Sequence, residues 1–408
     1  MKQVAVIGGG ASGLAAAITA AKMGAAVTIY ERGPRVGKKL LATGNGRCNI
    51  SNRFCTIDRY HGGDTGFILP AMENFDLQST EKFFGDMGLM LTELDEGKLY
   101  PRPLQASAVL DVLRMEIERL HVRAVCDCEI EEICLKGQGF TLWSKDKSFF
   151  ADAVILAAGG EAASQLGGTD SGYQLLRKLG HSITQRIPSI VQLKTDVTTI
   201  KPLSGMKIDG RARLFAGKKE VQSQFGEILF TDYGVSGPPI MQISGAASRL
   251  LCEDKSAVLS LDLVPELEQK KLYFLLKSRA YTHPERNLEE FFVGMLPKRL
   301  GQCAMKAVAL TPLSRQVSEL TDGDLQALAA QLKDWRLIVK DTNGFRNAQV
   351  TAGGASVTEF QSQTMESKLV PGLYACGEVL DVDGDCGGFN LQWAWSSGRL
   401  AGLSAAEK

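Results

Sequence analysis

Three glycines near the N-terminus stand at a spacing that suits the binding of a pyrophosphate. They follow the apolar run 4–7 and precede residues 14–18, a run of small and apolar residues typical of a helix. In such a strand, turn and helix, backbone N–H groups and the positive helix end converge on phosphate oxygens. A glycine-rich turn can also be only a turn, so the motif alone is a weak signal. The predicted phosphate contacts are Gly8, Gly10, Ala11, Ser12 and Gly13.

An acidic residue stands where a dinucleotide-binding unit needs one. Glu31 ends a second apolar run, residues 26–30, about 20 positions after the glycine loop. A carboxylate at this place accepts hydrogen bonds from the hydroxyls of an unphosphorylated adenosine ribose. With Glu31 at this spacing, dinucleotide binding is the preferred interpretation of the glycine loop. We include Arg32, which follows Glu31, in the predicted site.

Residues 37–52 form a second candidate binding loop, because they are dense in glycine, asparagine and basic side chains. Small residues let a ligand approach the backbone, while Lys38, Lys39 and Arg47 bring positive charge. A solvated connection is the alternative, but we favour contact with a planar, anionic ligand. The predicted contacts are Lys39, Asn45, Gly46, Arg47, Cys48 and Asn49.

The C-terminal segment is rich in glycine, as the N-terminal segment is. Residues 372–378 predict a strand that ends in a glycine and an acid, and two further glycines open a helix through Trp393 and Trp395. A helix N-terminus behind glycines is a second anion site. Two such sites, one near each end of the chain, suit a long cofactor whose two halves bind at separate places. The predicted contacts are Gly377, Glu378, Gly388, Asn390, Leu391 and Gln392.

The same segment imitates a calcium loop. Asp381, Asp383 and Asp385 have the spacing of its first three ligands, but Cys386 replaces the required glycine and Gln392 the required glutamate. The nine cysteines show no paired CxxC spacing for zinc. We therefore expect no metal site.

The elements that must position these loops are typical of an α/β fold. Residues 153–156 are continuously apolar and lead into Ala158 and Gly159, as expected for a buried parallel strand whose end touches a nucleotide. Residues 67–87 and 106–120 have helical patterns. Residues 97–103 predict a stiff extended loop, and residues 122–150 an antiparallel meander.

The pattern changes near Pro188. Residues 190–221 are β-like, residues 226–239 predict a rigid loop, and residues 265–332 are helical, charged and rich in leucine. We predict an inserted domain over 190–341, with a β part at about 190–264 and a helical lobe at about 265–332. The flanking segments, 1–189 and 342–408, then form one discontinuous binding domain.

Composition narrows the classes of function. The chain has 46 lysine and arginine residues and 46 aspartate and glutamate residues, so its formal net charge is zero. Because a neutral protein does not attract a polyanion over long distances, we expect no nucleic-acid partner. No apolar run reaches membrane-spanning length, and the N-terminal apolar run leads straight into the glycine loop instead of a signal-peptide cleavage site. The sequence predicts a cytoplasmic enzyme without a membrane partner, and it leaves the oligomeric state open.

Four motifs in order carry a resemblance to a known family. They lie at residues 40–49, 230–238, 351–354 and 377–394. Together they resemble the aminoacetone oxidase-like, HI0933-like flavoproteins over nearly the whole chain. The resemblance implies a Rossmann-like FAD-binding domain of the two-dinucleotide-binding-domain type, interrupted by a β-barrel-like domain with a helical lobe. It also implies FAD as the tightly held cofactor.

On this resemblance, the glycine loop would take the FAD pyrophosphate and Glu31 the adenosine ribose. Ile130, on the predicted meander, would lie near adenine, and residues 45–49 and 387–392 would flank the flavin. Gly377 and Glu378 would lie near the ribityl phosphate. Many relatives have histidine where this chain has Asp232, which puts a proton-transfer role for that position in doubt.

The chemistry implied is hydride transfer between a small organic substrate and flavin N5. Either an amino-ketone is oxidised with oxygen, or a conjugated 3-oxo steroid or bile acid-type enone is reduced with NADH or NADPH, bound transiently. A flavin-binding protein with an RNA-associated or structural role is the alternative from another class. The candidates for the substrate side are Tyr100, Arg102, Tyr173 and Asp232.

Overall fold

A computed structural model describes residues 1–407. The strands are β1 (Gln3–Ile7), β2 (Ala26–Tyr30), β3 (Ser51–Asn52), β4 (Tyr60–Gly62), β5 (Leu91–Leu94), β6 (Lys98–Pro101), β7 (Arg123–Val125), β8 (Glu132–Lys136), β9 (Gly139–Ser144), β10 (Lys147–Ala151), β11 (Ala153–Leu156), β12 (Ile187–Ser189), β13 (Leu193–Thr195), β14 (Lys207–Ala216), β15 (Lys219–Phe230), β16 (Gly234–Ser236), β17 (Ala257–Asp262), β18 (Trp335–Thr342), β19 (Val350–Ala352), β20 (Leu373–Ala375) and β21 (Val382–Gly384). The helices are α1 (Ala11–Lys22), α2 (Leu69–Asn74), α3 (Leu77–Asp86), α4 (Ala106–Arg119), α5 (Ser171–Lys178), α6 (Pro238–Cys252), α7 (Gln269–Thr282), α8 (Lys298–Ala307), α9 (Asp322–Lys333), α10 (Gly344–Asn347) and α11 (Phe389–Ala406).

The chain divides into two compact units. The first joins Met1–Pro188 to the chain from Ala348 onward, and the second is Ser189–Asn347. Each unit has its own cluster of buried apolar side chains. None of the helices within residues 1–407 combines the length and the apolar character that crossing a bilayer requires.

A parallel sheet of five strands, in the order β20-β11-β1-β2-β7, forms the centre of the first unit. In β1, Val4 pairs with Ala153 of β11 and with Val27 of β2. The inner strands β1 and β11 are almost entirely buried, which explains why they are continuously apolar and do not alternate. Because all strands run the same way, the loops that follow β1, β2, β11 and β20 leave one edge of the sheet.

Helices α1 and α11 bring the two ends of the chain into one layer. A Cβ atom at Gly398 would collide with the Ser12 carbonyl oxygen, and one at Gly402 with the Ala16 carbonyl oxygen. The spacing of four residues places both glycines on one face of α11. The two helices can therefore pack with their backbones in direct contact.

Two expectations for the first unit need correction. Residues 97–103 do not form only an extended loop, because β6 pairs with β5 and β3 in an antiparallel sheet. The meander is confirmed for β8, β9 and β10, but β7 joins the parallel sheet through its pairing with β2. Short segments such as β7 carry too little periodicity to reveal which sheet they enter.

The second unit is a closed barrel with helices attached. Its strands follow the order β13-β16-β15-β14-β17-β18, and α7, α8 and α9 lie between β17 and β18 in the chain. The predicted α/β fold with an inserted barrel and helical lobe is confirmed. The prediction of a rigid loop at 226–239 was wrong. In the structure β15 continues to Phe230, β16 follows, and α6 begins at Pro238. Proline suits that position, since the first turn of a helix needs no N–H donor there.

Candidate dinucleotide and flavin site

The first glycine loop connects β1 to α1 at the carboxyl edge of the parallel sheet. Gly8 has φ +104°, and a Cβ there would collide with the Ala157 carbonyl oxygen, so the loop lies directly against the turn after β11. A Cβ at Gly13 would collide with the Gly8 carbonyl oxygen. Gly10, in contrast, has no heavy atom within 4 Å of its Cβ direction. The loop is thus packed on its protein side and open at Gly10, where a phosphate would need room.

Glu31 is held at this loop by backbone donors. Its Oε2 accepts a hydrogen bond of 2.8 Å from the Gly9 N–H, and its Oε1 one of 2.7 Å from the Gly33 N–H. The carboxylate therefore lies beside the glycine turn, and its predicted contact with an adenosine ribose stays a prediction. Arg32 points elsewhere, since its guanidinium donates to the Gly167 carbonyl at 3.2 Å.

Ile130 is buried at 3% exposure and precedes β8 instead of lying on the meander. Ala158 and Gly159 follow β11, and Gly159 has φ +72° with no heavy atom within 4 Å of its Cβ direction. The turn after β11 therefore presents a second open backbone surface beside the Gly8 loop.

The second candidate loop has an unusual backbone. Gly44, Asn45, Gly46 and Cys48 all have positive φ, at 56°, 56°, 82° and 59°. Glycine and asparagine adopt this region most readily, which explains the composition of the loop. Residues 45–47 are exposed, and nothing lies within 4 Å of the Cβ direction of Gly46. Burial raises the pKa of the Cys48 thiol to about 12, so this side chain stays protonated and serves packing.

The loop at 45–52 meets the N-terminus of α11. Gly388, with φ +100°, caps this helix, and a Cβ there would collide with the Ser51 carbonyl oxygen. Asn52 Nδ2 donates to the Gly387 carbonyl at 2.9 Å, and Trp395 Nε1 donates to the Ile50 carbonyl at 3.0 Å. The structure therefore brings together the two segments that the family resemblance assigned to the flavin.

The side chains of the α11 N-terminus are largely used by the protein itself. Asn390 Nδ2 donates to the Gly384 carbonyl at 2.7 Å and Oδ1 accepts from the Gly384 N–H at 2.8 Å, which fixes the preceding loop. Gln392 is fully buried, and its amide bonds to Ser51, Thr80, Ser396 and the Phe75 carbonyl. For a ligand, this leaves the free N–H groups of the first helical turn, Leu391 included.

Replacing Gln392 with leucine is expected to lower the free energy of unfolding by about 3 kcal/mol, because buried hydroxyl and carbonyl groups lose their partner. Thermal unfolding monitored by circular dichroism measures the loss. The folded fraction should keep the flavin absorbance of the wild type. Gln138→Leu, at an exposed turn, is the matched control. A variant with unchanged stability but lost flavin would show instead that the side chain serves the ligand.

The open positions fit an extended dinucleotide cofactor. Gly10, Gly46 and Gly159 leave space at three places along the carboxyl edge of the sheet and the α11 N-terminus. Asn49 is 8% exposed, and its Oδ1 is a buried acceptor for which residues 1–407 offer no donor. FAD would be held by the Gly8–Gly13 loop, Glu31, the 45–49 loop and the α11 N-terminus.

Lys39 and Glu378 come together in an ion pair of 2.8 Å. Glu378 Oε1 also accepts from the Thr351 N–H at 2.9 Å, and Thr351 Oγ1 accepts from the Ala162 N–H at 2.9 Å. Gly377 packs against Ser12, because a Cβ there would collide with the Ser12 hydroxyl. Thr351 had no assigned role, although it opens the Thr–Ala–Gly–Gly turn of the family motif.

Tyr100 is the substrate-side candidate that the structure places beside the second candidate loop, at Gly44. It lies on β6, half-buried, with its ring 3.3 Å from the Cβ position of Gly44. Burial is the main cause that raises the pKa of its phenol above the usual value of 10.0, and the charge of Lys98 opposes it. The hydroxyl therefore keeps its proton at neutral pH.

The other three candidates are placed less favourably. Arg102 is exposed, and its backbone N–H bonds to the Met90 carbonyl at 2.8 Å. Tyr173 is fully buried, with its hydroxyl donating to the Glu378 carbonyl at 3.3 Å, so we drop it from the proposed substrate contacts. Asp232 is exposed and belongs to the second unit, in the turn after β15.

A histidine and carboxylate pair near α11 was missed by sequence reasoning. His61 Nε2 lies 2.8 Å from Asp385 Oδ1, because β4 pairs with β21. The Asp385 carbonyl also accepts from Asn390 Nδ2 at 3.2 Å. Since the two residues are 324 positions apart, only the strand pairing could have revealed the contact.

Comparison with known proteins gives full-length matches. The family model described as the HI0933-like protein Rossmann domain matches residues 2–404. The 3-dehydro-bile acid delta(4,6)-reductase of Clostridium scindens is 39% identical over 100% of both chains. The ribosomal RNA dihydrouridine synthase of Escherichia coli is 30% identical over 96% of this chain and 95% of its own. Among solved structures, a 3-ketosteroid-delta4-(5alpha)-dehydrogenase from Rhodococcus jostii is 16% identical at a TM-score of 0.48, covering 100% of this chain and 97% of that one.

Proposed function

Because the chain belongs to the HI0933-like family and is an FAD-dependent oxidoreductase, we propose that it reduces a carbon–carbon double bond conjugated to a carbonyl group. The substrate we propose is a 3-oxo steroid or bile acid-type enone, with NADH or NADPH as the transient electron donor. One observation carries the proposal: 39% identity, over the full length of both chains, to a protein named as a bile acid delta(4,6)-reductase.

The names of two relatives describe the same kind of chemistry. A delta(4,6)-reductase adds hydrogen to carbon–carbon double bonds. Dihydrouridine is uridine with two hydrogens added across the ring double bond that is conjugated to a carbonyl. When hydride adds to a double bond conjugated to a carbonyl, it adds to the carbon remote from the carbonyl, and negative charge moves to the carbonyl oxygen. A protein that catalyses this reaction needs a stabiliser for that charge and a proton donor.

When bound, reduced FAD supplies the hydride. In the proposal, the N–H groups of the Gly8–Gly13 loop would bind the pyrophosphate, and those at the start of α11 would stabilise negative charge on the flavin ring. Tyr100 holds the proton that the substrate α-carbon requires, because its phenol stays protonated beside the Gly44 loop.

Anaerobic mixing with NADH or NADPH tests the proposal. We expect one of the two to bleach the flavin within the time of a single turnover. The competing amino-ketone oxidase would stay yellow in this mixture and release peroxide from aminoacetone in air. That pair of results would overturn the reductase proposal.

The second candidate is reduction of uridine in ribosomal RNA, favoured by the relative of that name at 30% identity over 96% of this chain. The balance of 46 basic and 46 acidic residues supplies no global field for RNA, so we place the steroid-type substrate first. A gain in mass of two hydrogens in ribosomal RNA, incubated with the holoprotein and the reduced nicotinamide, would reverse this order. An RNA-associated role without catalysis stays the remaining alternative, and it predicts RNA retention without reduction.

A further inference from the structure

Lys98 and Tyr100 share one face of the small antiparallel sheet. In the ladder, Lys98 of β6 stands opposite Asn52 of β3 and Leu94 of β5. Side chains alternate along a strand, so Leu99 points to the other face, where it is buried. The Lys98 side chain is 28% exposed, and its ammonium pairs with the Glu96 carboxylate.

This face adjoins the N-terminus of α11. Asn52, the cross-strand neighbour of Lys98, donates to the Gly387 carbonyl at 2.9 Å. Directly opposite residues have their Cβ atoms about 4.5–5.5 Å apart, so the lysine stem begins within one side chain of that contact. Cys386, which precedes Gly387, lies close enough to Lys98 for the ammonium to lower the pKa of its thiol, although burial has the larger, raising effect. The Lys98 ammonium and the Tyr100 phenol therefore both lie near the N-terminus of α11.

Stability alone gives little reason for an ammonium here. Lys98 pairs with Glu96, whose side chain is 71% exposed, and exposed ion pairs of this kind contribute little to stability. Glu96 has φ +61° in the turn before β6, so the pair ties the ammonium to that turn. The pairing restricts where the positive charge lies next to Tyr100.

We propose that the Lys98 ammonium donates a hydrogen bond to the carbonyl oxygen of the substrate. This inference rests on the proposed function and names the group that stabilises its developing charge. Hydride addition forms a C–H bond at the β-carbon, and the π electrons of the double bond move toward the carbonyl oxygen, giving an enolate against Lys98. The proton of the Tyr100 hydroxyl then forms the second C–H bond at the α-carbon, and water restores the phenol. Both electrons come from reduced flavin, which a reduced nicotinamide regenerates.

Lys98→Met tests the proposal in the holoprotein, with Lys98→Arg as the conservative variant and Lys82→Met, on the exposed face of α3, as the control. For K98M we expect kcat with the enone to fall roughly 100- to 1,000-fold, the effect of removing one donor to a developing oxyanion. KM should change little, and the rate of flavin reduction by the nicotinamide should not change. K98R should keep much of kcat.

A second readout does not depend on turnover. The oxidised holoprotein is titrated with 4-chlorophenol, whose phenolate imitates the enolate oxygen and perturbs the flavin spectrum when it binds. We expect wild type and K82M to bind the phenolate, K98R to bind it more weakly, and K98M to lose at least tenfold in affinity.

The outcomes separate this proposal from the proposed function. Enone reduction and phenolate binding that K98M leaves intact would overturn the role of Lys98 while the reductase stands. Phenolate binding that depends on Lys98, in a wild type that reduces no enone, would refute the reductase and keep the oxyanion site. If Glu96→Gln, which retains the ammonium, reproduces the full loss of K98M, the ion pair has only a structural role and the proposal fails.

Discussion

Replacing Gly10 with valine is expected to abolish FAD binding while the apoprotein still folds. Apart from its chain neighbours, no atom of residues 1–407 lies within 4 Å of the Cβ direction of Gly10, and its φ of −80° suits any residue. The new side chain would instead occupy the space in which a pyrophosphate must approach the loop. We expect the Kd for FAD to rise about 1,000-fold, equivalent to about 4 kcal/mol. Flavin absorbance of the purified protein and fluorescence titration of the apoprotein with FAD measure it.

Two variants make this result specific. Gly85→Val, on the exposed face of α3, adds the same side chain where no described residue outside its own helix lies within 4 Å, and it should leave FAD binding unchanged. Gly13→Val should fail to fold, because its side chain would collide with the Gly8 carbonyl oxygen. Valine at the N-cap of α1 costs about 1 kcal/mol of stability, which the folded apoprotein should tolerate. A G10V protein that purifies yellow with wild-type affinity would show that the pyrophosphate binds elsewhere.

Replacing Tyr100 with phenylalanine is expected to lower kcat for enone reduction about 10²- to 10⁴-fold, the contribution of a positioned proton donor. The flavin spectrum and its reduction by nicotinamide should not change, because the ring that packs near Gly44 is retained. Steady-state rates and stopped-flow reduction separate the two half-reactions. Tyr281→Phe, at a tyrosine that is 89% exposed, is the control.

The pH dependence of the wild type provides a further check. Burial raises the pKa of Tyr100 above its usual 10.0, so the protonated, active form persists through neutral pH and is lost only when the pH rises beyond that value. The alkaline decline should disappear in Y100F. An unchanged rate and pH profile in Y100F would instead direct attention to the His61–Asp385 pair as the proton source.

The glycine loops could be predicted from the sequence because the positive φ at Gly8 and at Gly388 is a local demand that glycine meets most readily. The close backbone contacts of these two glycines, with Ala157 and Ser51, join distant segments and appear only in the structure. The resemblance of four ordered motifs extended this local signal to the inserted barrel. Such features appear in the residue pattern before any tertiary contact is known.

Other features depend on contacts between distant segments. Gln392 looked like a ligand contact, yet its amide bonds to Ser51 and Thr80, more than 300 positions away. The place of Lys98 beside Asn52 follows from the register of β6 against β3, which no periodicity in so short a strand can reveal. The stiff extended loop predicted at residues 97–103 contains a paired strand, β6, because β3 and β5 lie beside it.

The reaction of the reduced holoprotein with a 3-oxo-4-ene steroid in the absence of oxygen tests the proposed reductase activity most directly. We expect the bleached flavin absorbance to return at a rate that depends on steroid concentration, and the product to gain two hydrogens by mass spectrometry. We also expect Y100F to slow this return without affecting the preceding reduction. A flavin that stays reduced in the presence of the steroid and reoxidises only when oxygen is admitted would contradict the proposed activity.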